Sequence, residues 1–237
     1  INFLSERLNV TKDKKDYLFK GNIKNKNSSL NNELLQIIKL KYPQLDLIKT
    51  NFESDNDFSF NVNNKFKVEN LVIDSNILID SSQIKKNSLI NKNLIEINDP
   101  IELKDHEIKV SYSNKKLSIE GKGQFKIQNK FEIIDYQMTN NGSDLNLVSN
   151  IELSELDIKN QNLIKEYLPK TKDILNLKDH KIRASYANKK LKIEGKGQVK
   201  LQNKFEFIDY KLVHSGSDLN LVSNIDLSEV DIKNQNL

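Results

Sequence analysis

The chain has 237 residues, 37% of them hydrophobic, with 37 basic and 33 acidic side chains and a net charge of +4. That is enough apolar mass for a folded core, but 30% charge and a mean hydropathy of −0.61 suit a thin, elongated architecture better than a compact globule. The two signs of charge are interspersed, so the basic excess does not mark a nucleic-acid partner. The lack of cysteine excludes disulfides and thiolate metal sites, and no run approaches the ~18 apolar residues of a membrane helix.

In chain order, residues 1–57 form a divergent segment. Within it Asn31 to Leu40, with Leu34, Leu35, Ile37 and Ile38 on one side, reads as a short amphipathic helix. Residues 58–102 read as a partial repeat and 103–176 as a full one. Residues 177–237 are a further copy that stops at Asn236-Leu237, the point in the repeat occupied by Asn162-Leu163. Leu103 to Leu163 laid over Leu177 to Leu237 gives 46 identities in 61 positions at an offset of 74, without a gap. Such self-similarity is the mark of tandem supersecondary modules. The offset reaches upstream, where Ser75-Asn76-Ile77 matches Ser149-Asn150-Ile151. Asn64-Lys65-Phe66 matches Asn129-Lys130-Phe131 only at an offset of 65, which suggests a nine-residue length difference at a hairpin. The start at Ile1, with no basic-then-apolar leader, and the end at Leu237 suggest an excerpt of a longer polypeptide, with any signal or anchor outside it.

Inside one unit the apolar residues recur with period two. Leu191, Ile193, Gly195, Gly197, Val199 and Leu201 alternate with charged or polar residues, as do Leu117, Ile119, Phe125 and Ile127 one unit earlier. This predicts strands of about eleven residues, roughly 35 Å at ~3.3 Å per residue. The next segment begins on Phe205 (Phe131 in the earlier copy) and Phe207, then changes phase to Ile208 and Tyr210, which suggests a bulge at Ile133-Ile134 and its counterpart. A fourth segment carries Leu219, Leu221, Ile225 and Leu227 (Leu145 and Leu147 in the earlier copy) and changes phase again at Leu153 to Leu156. The predicted unit is four long antiparallel strands, Lys181 to Tyr186, Lys190 to Gln202, Lys204 to His214 and Asp218 to Ile232. Leu163 to Leu175, interrupted by Pro169, reads as a broken helical connection between units. The expected fold is all-β, with repeated long antiparallel strands forming a curved, twisted open groove and one or two short helices.

Candidate chemistry is sparse. His106 and His180 follow Asp at equivalent places, but they sit in what reads as a polar connection before a strand and lack a ligand cluster. His214 is Asn140 in the other copy. The Gly-Lys-Gly triplets at Gly121 and Gly195 lie mid-strand, not at the opening of a helix, so they cannot form a phosphate loop. They mark either a sharp local coil or a notch for something lying across the sheet. The carboxylate pairs Glu155/Asp157 and Glu229/Asp231 recur in both units, which argues against an active-site dyad. No nucleophile triad or dinucleotide fingerprint is present. The expectation is a non-enzymatic protein without cofactor or metal.

The apolar stripe remains. It is either an ordinary core covered by a second layer or an open face for an apolar ligand, and an acyl chain best matches a long continuous trough. LxIxGxGxxxLxxKFExxxY-like segments (Leu191 to Tyr210; Leu117 to Tyr136, with Ile127 at the second Leu) and LNLxSNIxLS (Leu145 to Ser154, Leu219 to Ser228) resemble the AsmA-like envelope proteins of Gram-negative bacteria, the TamB and YhdP type. The resemblance runs from Phe58 to Leu237. It implies a periplasmic, inner-membrane-anchored β-groove for bridge-like lipid transfer, conducting phospholipid or another acyl-chain lipid toward the outer membrane in outer-membrane biogenesis. The groove-lining positions it implies are Leu117, Ile119, Phe125, Ile127 and Phe131, with Leu145 and Leu147. In the next copy they are Leu191, Ile193, Val199, Leu201 and Phe205, with Leu219 and Leu221. The rival expectation is a structural or adhesive surface repeat with a closed core.

Overall fold

A computed structural model of the chain describes residues 3–13, 16–30, 33, 35–36, 47–85, 100–159, 174–216 and 218–228. Twelve strands form one antiparallel sheet in strict sequence order. They are β1 (Phe3–Asp13), β2 (Asp16–Ser29), β3 (Leu47–Val62), β4 (Val68–Ile84), β5 (Ile101–Ser113) and β6 (Lys116–Lys126), then β7 (Phe131–Asn140), β8 (Leu145–Lys159), β9 (Ile174–Ala187), β10 (Lys190–Leu201), β11 (Lys204–Ser215) and β12 (Asp218–Asp226). Among the described residues each strand touches only its sequence neighbours, so the sheet neither closes nor carries a second layer. The expected all-β architecture of long antiparallel strands in an open, curved sheet is the one observed.

Three four-strand units follow one another: β1–β4, β5–β8 and β9–β12. The first strand of each is bulged against the second, with register shifts between Leu4 and Arg7, between Lys104 and Glu107, and in β9 opposite Lys196 and Gln198. Such bulges bend and twist a sheet. Asp105 (φ 52°) and Asp179 (φ 53°) supply the left-handed residue in β5 and β9, a conformation that short Asx side chains tolerate. The two-residue turns Asn114-Lys115 and Asn188-Lys189, all with φ of 50–63°, are of the primed type that matches strand twist.

Several sequence expectations are corrected. Residues 1–57 hold β1, β2 and most of β3, and residue 58 lies inside β3, so the expected boundary divides a strand. Asn64-Lys65-Phe66 occupies the β3–β4 turn whereas Asn129-Lys130-Phe131 closes the β6–β7 turn, so the two triplets are not equivalent and the nine-residue difference does not exist as such. The Ile133-Ile134 phase break is not a bulge, since β6 and β7 pair in unbroken register from Leu117↔Asn140 to Lys126↔Phe131. Glu33, Leu35 and Gln36 are helical, but the rest of the expected Asn31 to Leu40 helix lies outside the described residues. So does the expected connection from Leu163 to Asp173, while Ile174 and Leu175 open β9.

Candidate functional site

Strand partners share a face, so the register fixes which side chains stand together. One row runs Ile108, Gly121, Tyr136, Ser149, Ala184, Ile193, Leu212, Leu221 across eight strands. The next runs Val110, Ile119, Met138, Leu147, Tyr186, Leu191, His214, Leu219. The result is a largely apolar face from β5 to β12, interrupted in these rows by Ser149 and His214. The candidates Leu117, Ile119, Leu145, Leu147, Leu191, Ile193, Leu219 and Leu221 all belong to it by register, although the placement of the Leu219 side chain lies outside the described detail. Leu117 and Ile119 and their counterparts Leu191 and Ile193 are half-buried by neighbours on the same face alone.

Phe125, Val199 and Leu201 stand on this face too, but as its densest part. Phe125 packs with Leu153 and Leu156, joined by Leu103, Ile127 and Leu177; Val199 and Leu201 pack with Leu175. These two clusters lie at the bulged end of the units and hold successive strands together.

Phe131 and Phe205 do not line the apolar face. Phe131 pairs with Lys126 and Phe205 with Lys200, on the charged side. Each ring is exposed, at 40% and 39%, and flanked by two ammonium groups: Lys104 and Lys126 at 5.9 and 5.7 Å, Lys178 and Lys200 at 5.6 and 5.5 Å. The inward positions that the phase of Phe131 and Phe205 would have claimed are held instead by Glu132 and Glu206, both buried. Glu132 accepts from the Ser154 N–H at 2.7 Å, the Ser154 hydroxyl at 2.8 Å and the Glu155 N–H at 3.4 Å. Glu206 does the same for Ser228, at 3.0 Å from the N–H and 2.7 Å from the hydroxyl. Each carboxylate thus satisfies donors where the neighbouring strand outruns it. Gln128 extends the device: its amide accepts from the Asp157 N–H at 2.9 Å and donates to the Asp157 carbonyl at 2.8 Å, standing in for a missing backbone partner.

His106 and His180 lie in mid-strand, not in a polar connection, and are only 4% and 1% exposed. Nε2 of each donates to a carbonyl, of Gln124 or Gln198, at 2.9 Å. A carbonyl only accepts, so the proton sits on Nε2 and Nδ1 is unprotonated and can accept; at His180 it accepts from the Tyr210 hydroxyl at 3.4 Å. Burial lowers the pKa of both imidazoles, outweighing the backbone acceptors and Asp105 or Asp179, and raises that of Tyr136 and Tyr210. The rings explain the mid-strand glycines. A Cβ on Gly123 or Gly197 would run into His106 or His180, and one on Gly121 or Gly195 into Tyr136 or Tyr210. The suspected notch is therefore filled by the chain's own rings.

The opposite face is charged and paired, for example Lys122 with Glu107 at 2.9 Å and Lys24 with Glu6 at 2.8 Å. Shallow clefts open there, one of about 770 Å³ among Glu152, Arg183, Glu194, Lys196 and Asp209. Among the described residues no group of three His, Asp or Glu is placed to hold a metal ion. Neither family models, nor characterised proteins, nor solved structures match this chain.

Proposed function

We propose that the apolar face binds acyl chains, phospholipid foremost, and that tandem units lengthen it into a path for lipid. In this reading the protein is non-enzymatic and works in the periplasm, anchored to the inner membrane through residues outside this sequence and serving the outer membrane. The resemblance of the repeat to AsmA-like envelope proteins supports that setting. One observation carries the reading: the two central rows of the β5–β12 face are apolar but for Ser149 and His214, and among the described residues no second layer covers it. Exposed apolar area costs about 25 cal/mol per Å² against water, so a face of this extent is stabilised by any apolar occupant. Because the sheet is open rather than closed around a cavity, chains would lie along the face and exchange along it. The rival reading, a stalk with a closed filled core, needs a covering layer.

The test is lipid extraction and mass spectrometry on the purified chain, with Ile119→Asp and Ile193→Asp beside it. Copurified phospholipid that falls several-fold in folded Asp variants supports the reading. No lipid on the folded parent overturns it, and so does outright unfolding of both variants, which would mark a dry core.

A further inference from the structure

The two junctions between units use one register. Ser75 pairs Val110 and Ile77 pairs Ile108 where β4 meets β5; Ser149 pairs Ala184 and Ile151 pairs Ile182 where β8 meets β9, each residue displaced by 74. On the charged side the second junction adds Lys181 to Glu152 at 3.6 Å and Arg183 Nη1 donating to Asn150 at 3.4 Å. β12 carries the same residues as β8: Leu219 to Ile225 repeats Leu145 to Ile151 letter for letter, and Asp226 replaces Glu152 with its charge kept. Yet β12 pairs only with β11 among the described strands. The consequence is visible in exposure. Leu147, covered by β9, is 37% exposed, whereas its counterpart Leu221 is 62% exposed; Ile151 is half-buried, whereas Ile225 is exposed at 38%.

From this continuity we infer that the free edge of β12 is a docking site for the first strand of a further unit of this repeat, received antiparallel with Arg183-type residues opposite Asn224. The strand it fits has the β9 pattern Lys-Ile-Arg-Ala-Ser-Tyr (Lys181 to Tyr186). Its isoleucine meets Ile225, its tyrosine covers Leu221, and its lysine meets Asp226, while main-chain bonds satisfy the open edge. Register is specified twice, because a one-residue slip would send the isoleucine to the charged face and the lysine to the apolar one. The apolar face would continue unbroken into the added unit.

The experiment appends a second copy of residues 164–237 after Leu237 and places one cysteine at Asn224→Cys and one at the added copy's Arg183 position. The natural chain has no cysteine to interfere. The result expected is a disulfide at this pair several-fold more abundant than with the partner cysteine at Val222 or Asp226, and at least ten-fold slower hydrogen exchange at alternate β12 amides than in the unextended chain. Unprotected β12 amides or a cross-link in another register overturns the inference. So does dimerisation of the unextended chain through two β12 edges, which would mean that the edge takes its own kind.

Discussion

Gly123 and Gly197 hold a ring each, and that makes the glycine–histidine pair the most sensitive point in a unit. Gly197→Ala puts a methyl into the His180 ring, which is fixed by its bond to the Gln198 carbonyl. Overpacking of this kind costs about 1–3 kcal/mol, readable as a lower urea midpoint, and adding His180→Ala should restore part of the loss. The imidazoles also couple stability to pH. Their folded pKa values lie below the ordinary 6.5, so the unfolded chain takes up these protons first as pH falls. Stability from this source is complete above about pH 6.5 and declines as pH drops from there through the depressed folded values. Urea unfolding between pH 7.5 and 5.5 should show that decline, and a His106→Gln/His180→Gln variant should show a flatter one. The letters revealed that the histidines and glycines repeat, but not that they meet, because a bulge brings residues 17 positions apart, such as His106 and Gly123, into contact. The only mark of it in the letters is the Asp before each His, a residue type that tolerates the left-handed conformation Asp105 and Asp179 adopt.

At the scale of the strand, the ends of β7 and β11 are managed by carboxylates. Glu206→Gln keeps the shape but weakens two charge-assisted bonds to Ser228, and Glu206→Ala leaves the Ser228 N–H without its acceptor. Losses of about 1–3 kcal/mol are expected for the alanine change and less for the glutamine, with faster hydrogen exchange confined to the β11–β12 pair. Strand positions were legible from period two: the expected Lys190 to Gln202 and Lys204 to His214 differ from β10 and β11 by a residue. The face of a strand's first residues was not. Phe131 and Phe205 are apolar and open a strand, so they suggested an inward phase and a bulge. Flanking lysines make an outward ring tolerable, and the need for a buried acceptor at Ser154 and Ser228 puts glutamate inward instead.

For the whole molecule, repetition set what could be foreseen. The near-identical copies at an offset of 74 become strand-for-strand equivalents, and one-sided alternation becomes a sheet with an apolar and a charged face. The first unit escaped the letters because its topology repeats while its sequence does not: β1 and β2 keep the bulge and the pairing with few shared residues. Whether the apolar face is covered is a property of the third dimension that alternation alone leaves open. The most direct measurement compares a photoreactive residue at Ile193, on the apolar face, with one at the adjacent Lys192, on the charged face, in the folded chain mixed with phospholipid vesicles. Lipid adducts at position 193 well above those at 192 are the predicted result; equal labelling, or none at 193, would contradict acyl-chain binding by this face.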